Sequence, residues 1–152
     1  MISALNVTNN ILKRAFREEK DISPMKLQKI LYIVYKEYYK RTGRLLFGEQ
    51  IEAWKYGPVV RSVYDEFKEY GSNAIKRYYV DETGTAFEAN EEASQQLKSV
   101  LDTVWEKYKG FDGIRLSEFT HKEGTAWYKA VKNGVYILNP ADIKEEGDFI
   151  AS

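Results

Sequence analysis

The sequence has no cysteine and only one histidine, His121. The first absence excludes a disulfide framework, thiolate metal ligands and a cysteine nucleophile. The second leaves little for metal chemistry. Glu118, His121 and Glu123 are close in sequence, but no HExxH or similar spacing surrounds them. No serine or threonine stands in a GxSxG setting. Glycine-rich phosphate loops are also lacking: Gly43, Gly48 and Gly57 are isolated, outside any GxGxxG or Walker-type pattern. No catalytic, cofactor-binding or metal residue is assigned, no cofactor is expected, and the chain reads as a non-enzyme. His121 is read as a tether that holds a loop between two helices by hydrogen bonds.

No apolar run approaches the length of a membrane span. The opening residues, Met1 to Asn6, lack the charged-then-apolar order of a signal peptide. A cytoplasmic protein is the expectation. An excess of one charge is missing too, since 23 Lys and Arg balance 23 Asp and Glu. That balance argues against a protein dedicated to nucleic acid. Repeats, low-complexity tracts and linkers are absent. The 152 residues are therefore read as one domain, 1–152, long enough to bury a core without metal or disulfide support.

What the chain does have is tyrosine, 12 residues of it. Two readings stay open, a Tyr-rich core or an aromatic binding surface. Periodicity favours helices. A first helix covers Thr8 to Arg17. A second starts at Ser23-Pro24, with Leu27, Ile30, Leu31, Val34, Tyr35 and Tyr38 at steps of three and four, and stops at Gly43. Leu45 to Trp54 reads as a loop or short strand. Gly57-Pro58 reads as the start of a helix with Val60, Val63, Tyr64 and Phe67 on one face. Ile75–Val80 and Thr85–Ala89, around the turn Asp81–Gly84, carry a β-hairpin signal. Asn90 is expected to cap a long helix with Leu97, Val100, Leu101, Val104, Trp105 and Tyr108 on its face. Shorter helices are expected at Ile114–Thr120, after Thr125, and from Asn139-Pro140 toward Phe149. The expected fold class is mainly α, a single-domain helical bundle with a small β-hairpin.

Helix two carries Lys26, Lys29, Lys36, Lys40 and Arg41, the best basic face if the chain read DNA. The competing reading is a solvated face opposite the apolar stripe. Asp65-Glu66 and Glu145-Glu146 are likewise expected on solvated helix faces. In the central block, Gly57 and Pro58 set a sharp turn. Trp54 is expected in the core and Tyr56 partly exposed.

Three segments together resemble the Panacea domain family, also called SocA-like or GepA-like phage-associated proteins. The first is Met25-Lys26-Leu27-Gln28-Lys29-Ile30-Leu31-Tyr32, similar to the family's KLQKLLY-type helix. The second is Glu52-Ala53-Trp54-Lys55-Tyr56-Gly57-Pro58-Val59-Val60, followed by Val63-Tyr64. The third is Leu116-Ser117-Glu118-Phe119-Thr120-His121, followed by Ala126-Trp127. Thr125-Ala126 departs from the family pattern, which often has proline before the tryptophan.

The resemblance implies an antitoxin of prophage or mobile-element origin that binds a cognate protein toxin, encoded by the adjacent gene. One member of the family is a proteolytic adaptor that delivers its toxin to ClpXP. An AAA+ protease is thus an alternative partner, with Phe149-Ile150-Ala151-Ser152 as a handle, and promoter DNA is a second alternative. Some members carry an extra N-terminal domain, often DNA-binding; here the motif helix begins at Met25, which leaves room for one short helix. No catalytic activity is attached to the family, so His121 is expected in a structural or contact role. The tyrosines chosen as partner contacts are Tyr38, Tyr39, Tyr56, Tyr78, Tyr79 and Tyr128.

Overall fold

Ser23, Pro24 and Gly43 bracket the longest helix of the protein. The Ser23 side chain accepts from the Lys26 amide, Pro24 takes the first helical position, and Gly43 ends the helix in the left-handed region at φ 73°. This helix, α2 (Pro24–Thr42), follows α1 (Ala4–Arg17) in a computed structural model that describes residues 2–150. After α2 come β1 (Glu52–Trp54), β2 (Gly57–Val59) and α3 (Arg61–Phe67), which ends in a short 3-10 turn. Then follow α4 (Gln95–Tyr108), α5 (Gly113–Thr120), α6 (Ala126–Lys132) and α7 (Pro140–Glu145). The fold is mainly α with a minor β-hairpin. No helix among the described residues is long and apolar enough to cross a membrane.

The bundle is organised around α2, which packs against α1, α3, α4, α5, α7 and β2. Every residue from Lys26 to Lys36 is buried. A helix enclosed on all sides cannot keep a polar face in water. Leu27, Ile30, Leu31 and Val34 supply the apolar packing, each worth about 1.5–3 kcal/mol relative to exposure. Lys26, Lys29 and Lys36 are buried with them, which corrects both sequence readings of this helix. Three of its basic side chains form neither a solvated face nor a DNA-reading face. The other end of the molecule gives a related correction, because Glu146 is buried rather than solvated. Its carboxylate accepts from Tyr32 Oη at 2.9 Å and from the Ala126 amide at 2.9 Å, and it lies 3.2 Å from Lys36 Nζ.

The hairpin is not where the sequence signal puts it. A tight turn does form at Asp81–Thr85, with the Asp81 amide donating to Thr85 O at 2.9 Å, but its arms make no strand ladder. Two asparagines on α1 take the backbone groups instead. Asn9 donates to Tyr79 O and Phe87 O and accepts from the Tyr79 amide; Asn10 donates to Ala89 O and accepts from the Ala89 amide. The true hairpin is β1–β2, antiparallel, with Trp54 opposite Gly57. It has a third neighbour, because Ala53 and Leu138 exchange amide bonds with Tyr136 and Ile51. Gly57-Pro58 is therefore strand, and the helix expected there begins only at Arg61.

Asn90 does not start α4 either. Its side chain accepts from the Glu92 and Ala93 amides in an isolated turn, and Ser94 caps the helix. The reason lies in Glu91, which turns toward α1 and pairs with Arg14 at 2.6 Å. Burial pushes the Glu91 carboxyl up, but Arg14, Asn10 and Lys13 outweigh it and hold the group down at about 2.

Candidate partner-binding surface around the hairpin

The three motif segments meet at the backbone of the hairpin. From α2, Gln28 makes two bonds to Val60, donating to its carbonyl and accepting from its amide, each at 3.0 Å. Lys29 Nζ donates to Pro58 O at 3.0 Å. From α5 and its end, Ser117 Oγ donates to Tyr56 O and His121 Nε2 to Lys55 O at 2.9 Å. A carbonyl can only accept, so the imidazole carries its proton on Nε2. From α6, Trp127 Nε1 donates to Trp54 O at 2.6 Å. The Trp127 and His121 rings meet edge-on at 4.0 Å, so each fixes the other. Five backbone carbonyls of one short hairpin are thus held by side chains from three helices.

Close approach makes this clamp possible. Gly57 has φ +118°, and a Cβ there would lie 2.6 Å from Thr120 Oγ1 and 2.9 Å from Lys29 Cε. Only glycine serves both the backbone angle and the contact. Several motif residues never reach the surface. Leu27, Leu31, Tyr32, Val63, Leu116 and Thr120 are core, and Pro58 and Val59 are buried beneath the turn. Ala53 is partly buried against the core. Lys26 donates to Lys109 O at the end of α4.

With the backbone held from within, the hairpin's outward side chains form a set. Trp54 lies here and not in the core, which corrects the sequence expectation. Its ring packs on Tyr64 at 4.7 Å, its Nε1 donates to Glu52 at 2.9 Å, and the Arg61 guanidinium lies 5.0 Å from its ring centre. Arg61 also donates to Glu52 and to Tyr136 Oη. Burial pushes the Glu52 carboxyl up, but the bonds from Trp54 and Arg61 prevail and hold it below its usual range. Tyr56, as expected, stands out, 56% exposed. Tyr64 and Tyr136 are exposed beside it. A Trp, an Arg and several Tyr side chains on a rigid backbone have the composition of an interface hot spot.

The other tyrosines chosen from sequence lie elsewhere. Tyr38, Tyr78 and Tyr79 pack partly buried against the core, Tyr78 edge-on to Phe16 at 5.0 Å. Tyr39 is half-buried near Lys144, and Tyr128 is half-buried on α6. Sequence reasoning passed over Lys55, Arg61, Ser117 and Tyr136. The first three sit in or beside the motif segments, which was their signal. Tyr136 had none, since only long-range strand pairing brings it here.

Between the hairpin and the start of α2 lies a cleft of about 400 Å³, walled by Pro24, Met25, Trp54, Tyr56, Val59 and Tyr64. Gln28, Lys29 and Lys55 supply its polar lining. A larger depression of about 600 Å³ between α1 and α4 is shallower and is lined by charges already paired, such as Arg14 with Asp102.

The family profile described as "Antitoxin SocA-like, Panacea domain" matches residues 27–128, which contain the hairpin and the five side chains that clamp it. The chain is similar to "Antitoxin SocA" of Caulobacter vibrioides (strain NA1000 / CB15N), 28% identical over 138 residues, covering 88% of this chain and 72% of that protein. No solved structure matches significantly. The chain belongs to the SocA-like Panacea-domain antitoxin family.

Proposed function

We propose that this chain is the antitoxin of a toxin–antitoxin pair and neutralises a cognate protein toxin, encoded by the adjacent gene, by binding it directly. The family assignment supports the antitoxin role. The observation that carries direct binding is the hairpin face. Trp54, Tyr56, Arg61, Tyr64 and Tyr136 converge there on a backbone that motif side chains immobilise. Preorganisation of this kind lowers the ordering cost of association, so more of the contact energy appears as affinity.

Expression of the adjacent gene alone and with this chain tests the proposal. Growth arrest by the neighbour, relief on co-expression, and co-purification of the two products are the expected results. A harmless neighbour, or relief without a complex, overturns it. Toxin half-life decides between sequestration and delivery to a protease. Sequestration leaves the half-life unchanged while activity falls.

A further inference from the structure

We propose that the cleft between the start of α2 and the hairpin is the recognition pocket for the toxin, and that it takes one large apolar side chain with a carboxylate next to it. The inference rests on the antitoxin reading above and adds the place and chemistry of contact.

Size and lining set the apolar half. At about 400 Å³ the cleft is near the lower end of the range for ligand pockets, roughly 300–1,000 Å³, and suits a side chain rather than a cofactor. Met25, Trp54, Val59 and Tyr64 offer an aliphatic and aromatic wall. Trp54 and Tyr64 brace each other, so the wall is formed before a partner arrives.

Charge sets the other half. The ionisable cleft residues other than the tyrosines are Lys29 and Lys55, and no Asp or Glu lines it. Gln28 has both of its side-chain polar atoms engaged with Val60. Lys29 is the unusual member. It is 1% exposed, yet its ammonium has one protein acceptor, Pro58 O, for three N–H groups. Among the described residues no carboxylate lies within 4 Å of it, whereas the buried Arg14 has two and the buried Lys36 has one. Burial alone lowers its pKa, to about 7, with no opposing anion. Lys26, one turn away, at least feels Asp112 and Asp21.

A buried cation left incomplete beside an open apolar cleft is complementary to an incoming anion. A carboxylate there makes charge-assisted hydrogen bonds to an ammonium already removed from solvent. Lys55, exposed on the hairpin turn, adds attraction at the mouth. A basic partner residue would instead meet two like charges, so the pocket discriminates as well as binds.

The test uses the full chain with two kinds of probe. The first is 3-phenylpropionate, an apolar body with a carboxylate, compared with its neutral amide by amide NMR. Shifts confined to the hairpin and the start of α2, with the acid binding about tenfold tighter, are expected. In Lys29→Met that preference for the acid disappears. Equal binding of acid and amide, shifts elsewhere, or no binding of either overturns the pocket. The second probe is the adjacent-gene toxin, with Lys55→Glu and Tyr64→Ala, exposed positions whose variants are checked for unchanged urea midpoints. Each is expected to weaken toxin binding about tenfold or more. Full affinity in both variants, with the unaltered chain still neutralising, overturns the pocket and leaves the antitoxin reading standing. Failure of the unaltered chain to bind the toxin overturns both. A dimer of this chain that Tyr64→Ala abolishes assigns the cleft to self-association and also overturns the proposal.

Discussion

Lys29 and Lys36 lie two turns apart on one face of α2, and both are almost completely buried. Their surroundings differ. Around Lys36 the chain supplies a counter-anion, a carbonyl and an aromatic face, although burial still holds its pKa below the ordinary value. Glu146 lies at 3.2 Å, Gly147 O accepts at 2.9 Å, and the Phe149 ring lies 3.6 Å from the ammonium. Around Lys29 it supplies one carbonyl. The C-terminal half of α2 is therefore finished by the fold, and the N-terminal half is not. Burial by itself does not make a lysine structural; what matters is whether the protein completes it.

The most severe way to test this contrast is Lys36→Met. It leaves Glu146 buried without its cation, with only Tyr32 and the Ala126 amide for partners. A loss of about 3–5 kcal/mol in urea unfolding is expected. If Lys29→Met costs as much, the contrast fails. Next in size is Gly57→Ala, which forces a Cβ at φ +118° against Thr120 and Lys29. A loss of about 2–3 kcal/mol is expected, with the Lys29 ammonium displaced, as its NMR signal would report.

Lys29→Met itself should act in the opposite direction near neutral pH. Burial holds the folded-state pKa at about 7, against the ordinary 10.5. Between those values the folded chain binds fewer protons than the unfolded one, so stability rises with pH across that window. Below it both states are protonated and the charge is carried at a cost. The full shift would correspond to about 5 kcal/mol, and loss of the bond to Pro58 O removes part of that gain. The variant is thus expected to be about 1–3 kcal/mol more stable than the natural chain at pH 6, with the difference closing by pH 10.5. A pH series of denaturation midpoints checks it, and a constant difference would break the account. The mildest change is His121→Ala, which removes one bond to an accessible turn and an edge contact with Trp127. About 1 kcal/mol is expected by thermal unfolding, because water can replace the lost donor at the Lys55 carbonyl.

Much of the bundle was legible because helix ends are local. Ser23, Pro24 and Gly43 around α2, Thr125 before α6 and Asn139-Pro140 before α7 act through their own turns. What stayed hidden depends on distant partners. The residues around Asp81 have strand-forming composition, but Asn9 and Asn10 capture their backbone from 70 and 79 residues away in the sequence. Glycine followed by proline before an amphipathic run reads equally as a helix start or a strand edge. Pairing with β1 decides it. The lysines of α2 read as solvated because periodicity counts every lysine as polar, and no local feature tells a completed cation from an incomplete one. At the site, the motif segments were found by resemblance. Their joint task of gripping a hairpin backbone emerges only in three dimensions.

The asparagine grip on the 79–89 loop has a practical consequence. In a strand pair, one added residue slips the register of everything beyond it. Here the legs are fixed individually by side-chain amides at Tyr79, Phe87 and Ala89, so the length of the tip is uncoupled from the alignment of the legs. The exposed turn between Thr83 and Gly84 is accordingly a place where a fluorescent reporter or an affinity peptide can be spliced into the chain without disturbing the rest of the fold.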